Sequence, residues 1–361
     1  MSDFHTPLCD LLGCRYPIVQ TGMGWVTGSE LVAATTNAGG FGFLAGATIA
    51  ADRIEAEIVS VRELTGDKPF GLNFHMFQPN APQLLDLAVK HRIRAVSYGR
   101  GPDKKVIGRM RDAGIVCMPT VGALKHALKA IEMGANVITI QGAEGGGHTG
   151  SVPTTVLLPQ VVDAVQVPVV AAGGFYDGRG LLAALAYGAQ GIAMGTRFLM
   201  TSGNRVPAAT LERYLKAKDA EKIQVSYLVD GMPQRMIPNE YLAMLEKASP
   251  LRRLQIALQL ALRYKMQTGM TSGHALKVLW HGLREDTSSV AQTVMAANAP
   301  MLLQRSMVEG KPAEGVMSAG QVAALIGRLQ SCREIIEGII AQACERRDAL
   351  IATRTVEGSH V

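Results

Sequence analysis

Between Tyr16 and Met194, eight short apolar runs alternate with amphipathic stretches. The runs are YPIVQ, FGFLAG, PFGLNF, IRAVSY, GIVCMP, NVITIQG, VPVVAAGG and QGIAMG. Most are apolar in succession rather than at every second position, the pattern of strands buried on both faces, as in parallel sheets. The segments between them, 29–38, 52–65, 82–90, 103–113, 123–133, 157–165 and 178–187, read as helices. Strand and helix alternating at this spacing imply βαβ units, and eight strands favour a TIM (β/α)8 barrel over an open doubly wound sheet. The phrases NAGGFGF, DAGIVC, EMGANV and YGAQGI support the repeat, because each sets a glycine where a helix stops before the next strand.

After Thr196 the pattern changes. Residues from about 207 to 309 read as helices and loops with prolines at 233, 238 and 250, and a last helical stretch is expected over 318–347. The expected organisation is a barrel over 1–206, a helical lid or substrate segment over 207–310, and a C-terminal helix returning to the barrel within 311–361.

Composition narrows the class. With 48% apolar and 18% charged residues, the chain is not a disordered one. No apolar run reaches the length of a membrane span, and MSDFHTPLCD lacks the basic-then-apolar order of a signal peptide, so a cytoplasmic protein without a membrane partner is expected. Five scattered cysteines without CxxC spacing read as reduced thiols and predict no metal site. The net charge of +6 is concentrated between Arg205 and Glu285, where 13 Lys and Arg face 7 Asp and Glu. That excess reads as a solvated helical surface or as attraction for a phosphorylated small molecule. It does not read as a nucleic-acid site, since the basic residues are not interleaved with aromatics.

In a barrel, the loops after the strand C-termini build the site, with phosphate often held after the seventh and eighth strands. QTGMGW, NFHMF, MPTVG, QGAEGGGHTG, AAGGFYDGRG and MGTRF all fall at that end. Gly173, Gly174, Gly195 and Thr196 are phosphate candidates, because bare main-chain N–H groups at a helix start bind phosphate without a lysine. The alternative for each phrase alone is a tight turn. There is no GxxxxGK[ST] loop and no dinucleotide fingerprint after the first strand, so flavin mononucleotide fits better than a tightly held NAD. His148 stands among residues small enough to let a flat ring approach the backbone, and its imidazole suits a general acid or base. Glu144 either orients that imidazole, contacts flavin or substrate, or caps a turn. Asn73 offers donor and acceptor to a flavin edge, while His75 is a substrate contact or a local hydrogen-bonding group. Met23, Met76, Met118 and Met194 fall near the expected mouth; soft side chains there suit a flat cofactor but need no function.

GCRYPIVQTGMGW, NAGGFGFLAG, PFGLNF, QGAEGGGHTG, VVAAGGFYDGRG and AMGTRF, in this order, resemble the nitronate monooxygenase family, whose relatives include flavin-dependent enoyl-ACP reductases. The resemblance implies a TIM barrel holding non-covalent FMN, with His148 beside the flavin. It places flavin contacts at Gly22, Met23, Gly24, Asn73, His75, Gln141 and Gly147, with Thr120 and Met194 completing the cofactor set, and phosphate contacts at Ala172, Gly173, Gly174, Gly195 and Thr196. The chain departs from some relatives at Thr120, where they carry a lysine, and at Gln141, where they carry an acid. YLVDGMPQRMI, VMAANAPMLL and SCREIIEGII look like a subgroup that includes a flavoprotein of steroid C/D-ring degradation, which implies a CoA thioester and a nicotinamide cofactor.

The leading expectation is therefore an FMN-dependent oxidoreductase that oxidises alkyl nitronates with O2. The alternative is a reductase or dehydrogenase exchanging hydride with NAD(P)H and acting on an acyl-CoA; a non-catalytic flavin-binding protein is the alternative of another class. A homodimer is compatible with each.

Overall fold

The computed structural model describes residues 4–75, 78, 80–99, 104–268 and 298–355. All eight apolar runs form strands, and they close into one parallel barrel: β1 (Ile18–Gln20), β2 (Phe41–Ala45), β3 (Gly71–Phe74), β4 (Ala95–Tyr98), β5 (Val116–Val121), β6 (Ile138–Gln141), β8 (Val169–Ala172) and β9 (Gly191–Met194). The strand absent from this order, β7 (Gly147–His148), lies outside the barrel. Closure is made by β1 against β9, where Ile18, Val19 and Gln20 stand opposite Ile192, Ala193 and Met194.

The crossover helices are α2 (Ser29–Asn37), α3 (Ile54–Thr65), α4 (Ala81–Lys90), α5 (Lys104–Asp112), α6 (Leu124–Glu132), α7 (Thr154–Ala164) and α8 (Gly178–Ala186). The recurring helix-end glycines Gly39, Gly114, Gly134 and Gly188 all take left-handed φ, between 74° and 110°. That backbone is open to glycine without the Cβ penalty and turns the chain from helix to strand. Inside the barrel, Val19, Phe41, Phe43, Met118 and Val170 pack as one cluster. Leu8 and Leu12 of α1 (Pro7–Leu12) join it and close the end opposite the βα loops.

Beyond β9 come α9 (Thr196–Leu199) and α10 (Ala208–Lys216), and then a departure from expectation. The 207–309 stretch was expected to be helices and loops, yet β10 (Gln224–Ser226) and β11 (Gln234–Met236) pair as an antiparallel hairpin. On its other edge β11 pairs with β7, so Gln234 stands opposite His148 and Arg235 opposite Gly147. The strands are three residues long and carry Gln, Ser and Arg, so no apolar alternation announces them. The segment continues through α11 (Glu240–Lys247), α12 (Pro250–Thr268) and α13 (Asn298–Met307). Val229, Met236, Leu242, Leu260, Met301, Leu302 and Val316 give it a small core of its own.

The final helix also differs: α14 begins at Cys332, not near 318, and runs to Thr355. Ser318 instead makes an antiparallel bridge with Met236, and residues 321–325 form a 3-10 turn. α14 packs on the barrel's helical layer, burying Ile335, Ile336, Ile339 and Ala343. It lies so close to α8 that a Cβ on Gly178 would come within 2.4 Å of both the Ala343 nitrogen and the Ile339 oxygen. Gly178 N–H donates to Gln342 Oε1 at 2.7 Å, which fixes the same approach. Among the described residues, no helix is long and apolar enough to cross a membrane.

Gly178→Ala is thus expected to force the two helices apart and to cost about 1–3 kcal/mol, the usual scale of overpacking. Thermal or denaturant unfolding reads this directly; an unchanged midpoint would show that the close approach does not hold in solution.

Candidate functional site

The βα loops open at one rim, and the loop between β6 and α7 carries Glu144, His148 and Thr149 there. Several of its glycines are required by the protein's own packing, whatever else lies against them. A Cβ on Gly142 would lie 2.0 Å from Thr154 Oγ1, one on Gly145 2.6 Å from Gln141 Nε2, and one on Gly146 2.4 Å from the Gly320 nitrogen. The protein itself makes these close approaches, and only Gly147, with φ of 69° and open space around its missing Cβ, is bare for another reason. The same holds at Gly22 and Gly24, where Asn73 and Thr48 fill the room a side chain would need.

Glu144 caps a turn. Its carboxylate accepts from Thr154 N–H at 3.0 Å and from Thr154 Oγ1–H at 2.8 Å. An acid that satisfies the first N–H of a helix also opposes its positive end. This is why α7 starts at Thr154, ahead of the expected 157.

His148 is met instead by two residues of the 224–236 hairpin, of which Asp230 can accept its proton. Its Nε2 lies 2.7 Å from Asp230 Oδ2 and 3.0 Å from Gln234 Nε2. Asp230 is buried at 3% exposure, whereas half of the His148 side chain is accessible. Gln234 Nε2 donates to the same Oδ2 at 2.7 Å, and Met232 N–H donates to Oδ1 at 3.1 Å. The hairpin is anchored by Arg235, which donates to Ala143 O at 2.9 Å and Ile223 O at 2.6 Å. Asp230 and Gln234 both fall in YLVDGMPQRMI, the phrase that resembles the steroid-degradation subgroup, but nothing in it assigns either a role: Asp-Gly reads as a turn, and what brings the two to His148 is the pairing of two short polar strands.

Of the residues expected at the site, Thr120, Gln141 and His148 line one cavity of about 240 Å³, together with Val121, Gly122, His126, Thr149 and Gly150. Gln141 Nε2 donates to His148 O at 2.8 Å, and Asn73 Nδ2 donates to Ser97 Oγ at 2.9 Å. Both amides thus spend their nitrogens on the protein and keep carbonyl oxygens as acceptors. Gly195 sits beside Thr21 and Met23, a Cβ there falling 3.1 Å from Thr21 Oγ1 and 3.5 Å from Met23 Sδ. Gly173 and Gly174 turn the chain after β8 with φ of 95° and 84°.

Other expected groups are placed differently. Ala172 and Met194 are buried at 6% and 2% exposure in barrel strands, so the Met194 side chain belongs to the core. The start of α8 is not bare: the Asp177 side chain accepts from Arg179 and Gly180 N–H, which closes that helix end to phosphate. Thr196 Oγ1 accepts from Gly320 N–H at 2.9 Å. Met118 is buried in the barrel interior, and Met76 lies outside the described residues.

His75 is exposed at the rim but surrounded by protein. Desolvation first, and the nearby His148 second, hold its imidazole below the ordinary 6.5. Below that value the unfolded chain takes up a proton that folded His75 refuses, so this group costs stability as the pH falls through the window. NMR titration is expected to give a His75 midpoint below 6.5, moving upward in His148→Ala, because one of its two causes is then gone. A midpoint unmoved by that substitution would mean that the two rings do not sense each other.

The nitronate monooxygenase family model matches residues 5–85 and 80–342. The chain is 46% identical over 354 residues, 98% of its length and 100% of the relative, to a Rhodococcus jostii protein named (3aS,4S,5R,7aS)-5-hydroxy-7a-methyl-1-oxo-octahydro-1H-indene-4-carboxyl-CoA dehydrogenase. A Mycobacterium tuberculosis protein of the same name is 45% identical, over 94% of this chain and 96% of its own. Among solved structures, FabK from Thermotoga maritima is similar with a TM-score of 0.76 at 29% identity, covering 96% of this chain and 99% of that one.

Proposed function

Because this chain belongs to the nitronate monooxygenase family and is an oxidoreductase by that membership, we propose that it uses flavin mononucleotide and that His148 moves the substrate's proton. The observation that carries this reading is the state of the imidazole. One ring nitrogen is held by the hairpin, and Nδ1 makes no hydrogen bond among the described residues, on a half-accessible side chain lining the 240 Å³ cavity. A base with one tethered nitrogen and one free one has the geometry for proton transfer.

The residues at the rim fit a flavin. Asn73 and Gln141 keep acceptor oxygens for the donor edge of an isoalloxazine, and Thr120 and Gly147 flank them. Gly22, Met23 and Gly24 form the loop beside Asn73. The phosphate would fall to the main chain of Gly173, Gly174, Gly195 and Thr196, with Ala172 and Met194 contributing backbone only, since α8 is already capped. The bound flavin would supply the two-electron acceptor. Positioning, exclusion of water and proton transfer fall to the chain itself.

For the substrate we favour a CoA thioester carrying a hydroxyl to be oxidised, with a nicotinamide cofactor as second redox partner. The support is similarity along 98% of this chain to a protein named as such a dehydrogenase, which therefore extends through the hairpin that holds His148. The basic excess between Arg205 and Glu285 suits a polyanionic substrate. Nitronate oxidation with O2 is the second reading, favoured by the family's own name.

Heat-denatured protein is expected to release flavin mononucleotide. Under anaerobic conditions a CoA thioester of a hydroxylated ring acid should bleach the flavin band while an alkyl nitronate leaves it; the opposite pattern selects the second reading. His148→Ala is expected to lower turnover by about 10²–10⁴-fold with flavin still bound. Turnover near the wild-type rate would remove His148 from the proton transfer.

A further inference from the structure

The hairpin brings a carboxylate to the proposed base, and the surrounding donors restrict what that carboxylate can do. Asp230 Oδ2 stands 2.7 Å from His148 Nε2, too close for two lone pairs to face each other without a proton between them. Gln234 Nε2, an amide nitrogen that can only donate, also reaches Oδ2 at 2.7 Å, and its 3.0 Å approach to His148 Nε2 is then a contact between two donors drawn to one oxygen, not a hydrogen bond. With Met232 N–H on Oδ1, the carboxylate receives one donor on one oxygen and two on the other. Among the ion pairs of the described residues, His148 is the partner of Asp230. Among the described residues the Gln234 Oε1 atom is buried without a partner, the cost of aiming its nitrogen at the carboxylate.

We propose that Asp230 is a positioning residue for His148, supplied from outside the barrel. It accepts the Nε2 proton and so fixes the ring in the tautomer whose Nδ1 carries the free lone pair. When the substrate's O–H or C–H bond breaks, its electron pair stays on the substrate atom and the proton binds Nδ1. Asp230 takes no proton; its charge stabilises the imidazolium. Gln234 holds the carboxylate in line, and the pairing of β7 with β11 sets the backbone of His148 and Gln234 opposite each other. The site is thus complete only when the hairpin is docked. This rests on the reading of His148 as the proton-transfer group.

The test combines ¹⁵N NMR of the histidine rings in the flavin-loaded protein with steady-state kinetics. At a pH where the ring is neutral, His148 is expected to show a protonated Nε2 and a bare Nδ1, and Asp230→Asn to lose that single tautomer. Asp230→Asn should lower kcat by about 10–100-fold, with KM and flavin binding changed far less, and Asp230→Glu should recover part of the loss. A protonated Nδ1 in the wild-type protein overturns the proposal even if the variants fail to fold. So does Asp230→Asn with wild-type kcat while His148→Ala is inactive, an outcome that leaves the His148 reading intact. If His148→Ala keeps its turnover, that reading fails instead, and the ring spectrum still decides whether Asp230 fixes the tautomer.

Discussion

The antiparallel pairing of Gly147–His148 with Gln234–Arg235 is the joint on which the site depends. A parallel barrel satisfies its strands internally but leaves the βα loops at the rim to find partners for their main chain. Of the partners the β6–α7 loop finds, three shape the site. Glu144 reaches forward to Thr154, Gln141 reaches across to His148 O, and β7 adds a strand to a hairpin that belongs to another part of the chain. Remove the third and the histidine keeps its loop but loses its register, its carboxylate and the Arg235 tie to Ala143.

This explains which parts of the molecule could be read from the chain. Continuous apolar runs mark strands buried on both faces, and glycines at helix ends mark the turns, so the barrel and its crossovers were visible. Both signals are local. The hairpin is specified by what it pairs with: QVS and QRM carry almost no pattern, and Gln234 is buried at 2% exposure because Asp230 and His148 need it there. The start of α14 was misplaced for a related reason. Residues 318–331 look helical in composition, but Ser318 bridges Met236 and Gly320 N–H donates to Thr196, long-range contacts that override local propensity.

The glycine-rich loop carries a narrower lesson. Its bareness pointed to the right place for a partly different cause. Gly142, Gly145 and Gly146 are small because Thr154, Gln141 and Gly320 press against them, so the protein's own packing demands glycine whether or not a ligand lies above. His148 is distinct because its ring leaves that packing, half accessible, and is met by a buried carboxylate. Glu144, four residues earlier and open between a role at the imidazole and a turn cap, spends its carboxylate on the start of α7. Two polar side chains in one loop therefore divide the work, one fixing the helix that follows and the other facing the cavity.

Substrate choice follows from the same division. The barrel rim offers main-chain groups, two amide acceptors and the imidazoles of His75, His126 and His148, a set that selects no one substrate. Selection has to come from the segment that the barrel does not need for closure. That segment has its own small core around Val229, Met236, Leu242 and Leu302, and it reaches back to the rim through Trp25, whose Nε1–H donates to Pro300 O at 2.9 Å. A unit with an independent core can vary in shape without unpicking the barrel, yet through Asp230 and Gln234 it also sets the state of the histidine. On the reading of His148 proposed above, substrate shape and proton transfer would be coupled in one piece of chain, and a change of substrate that moves the hairpin would also change the base.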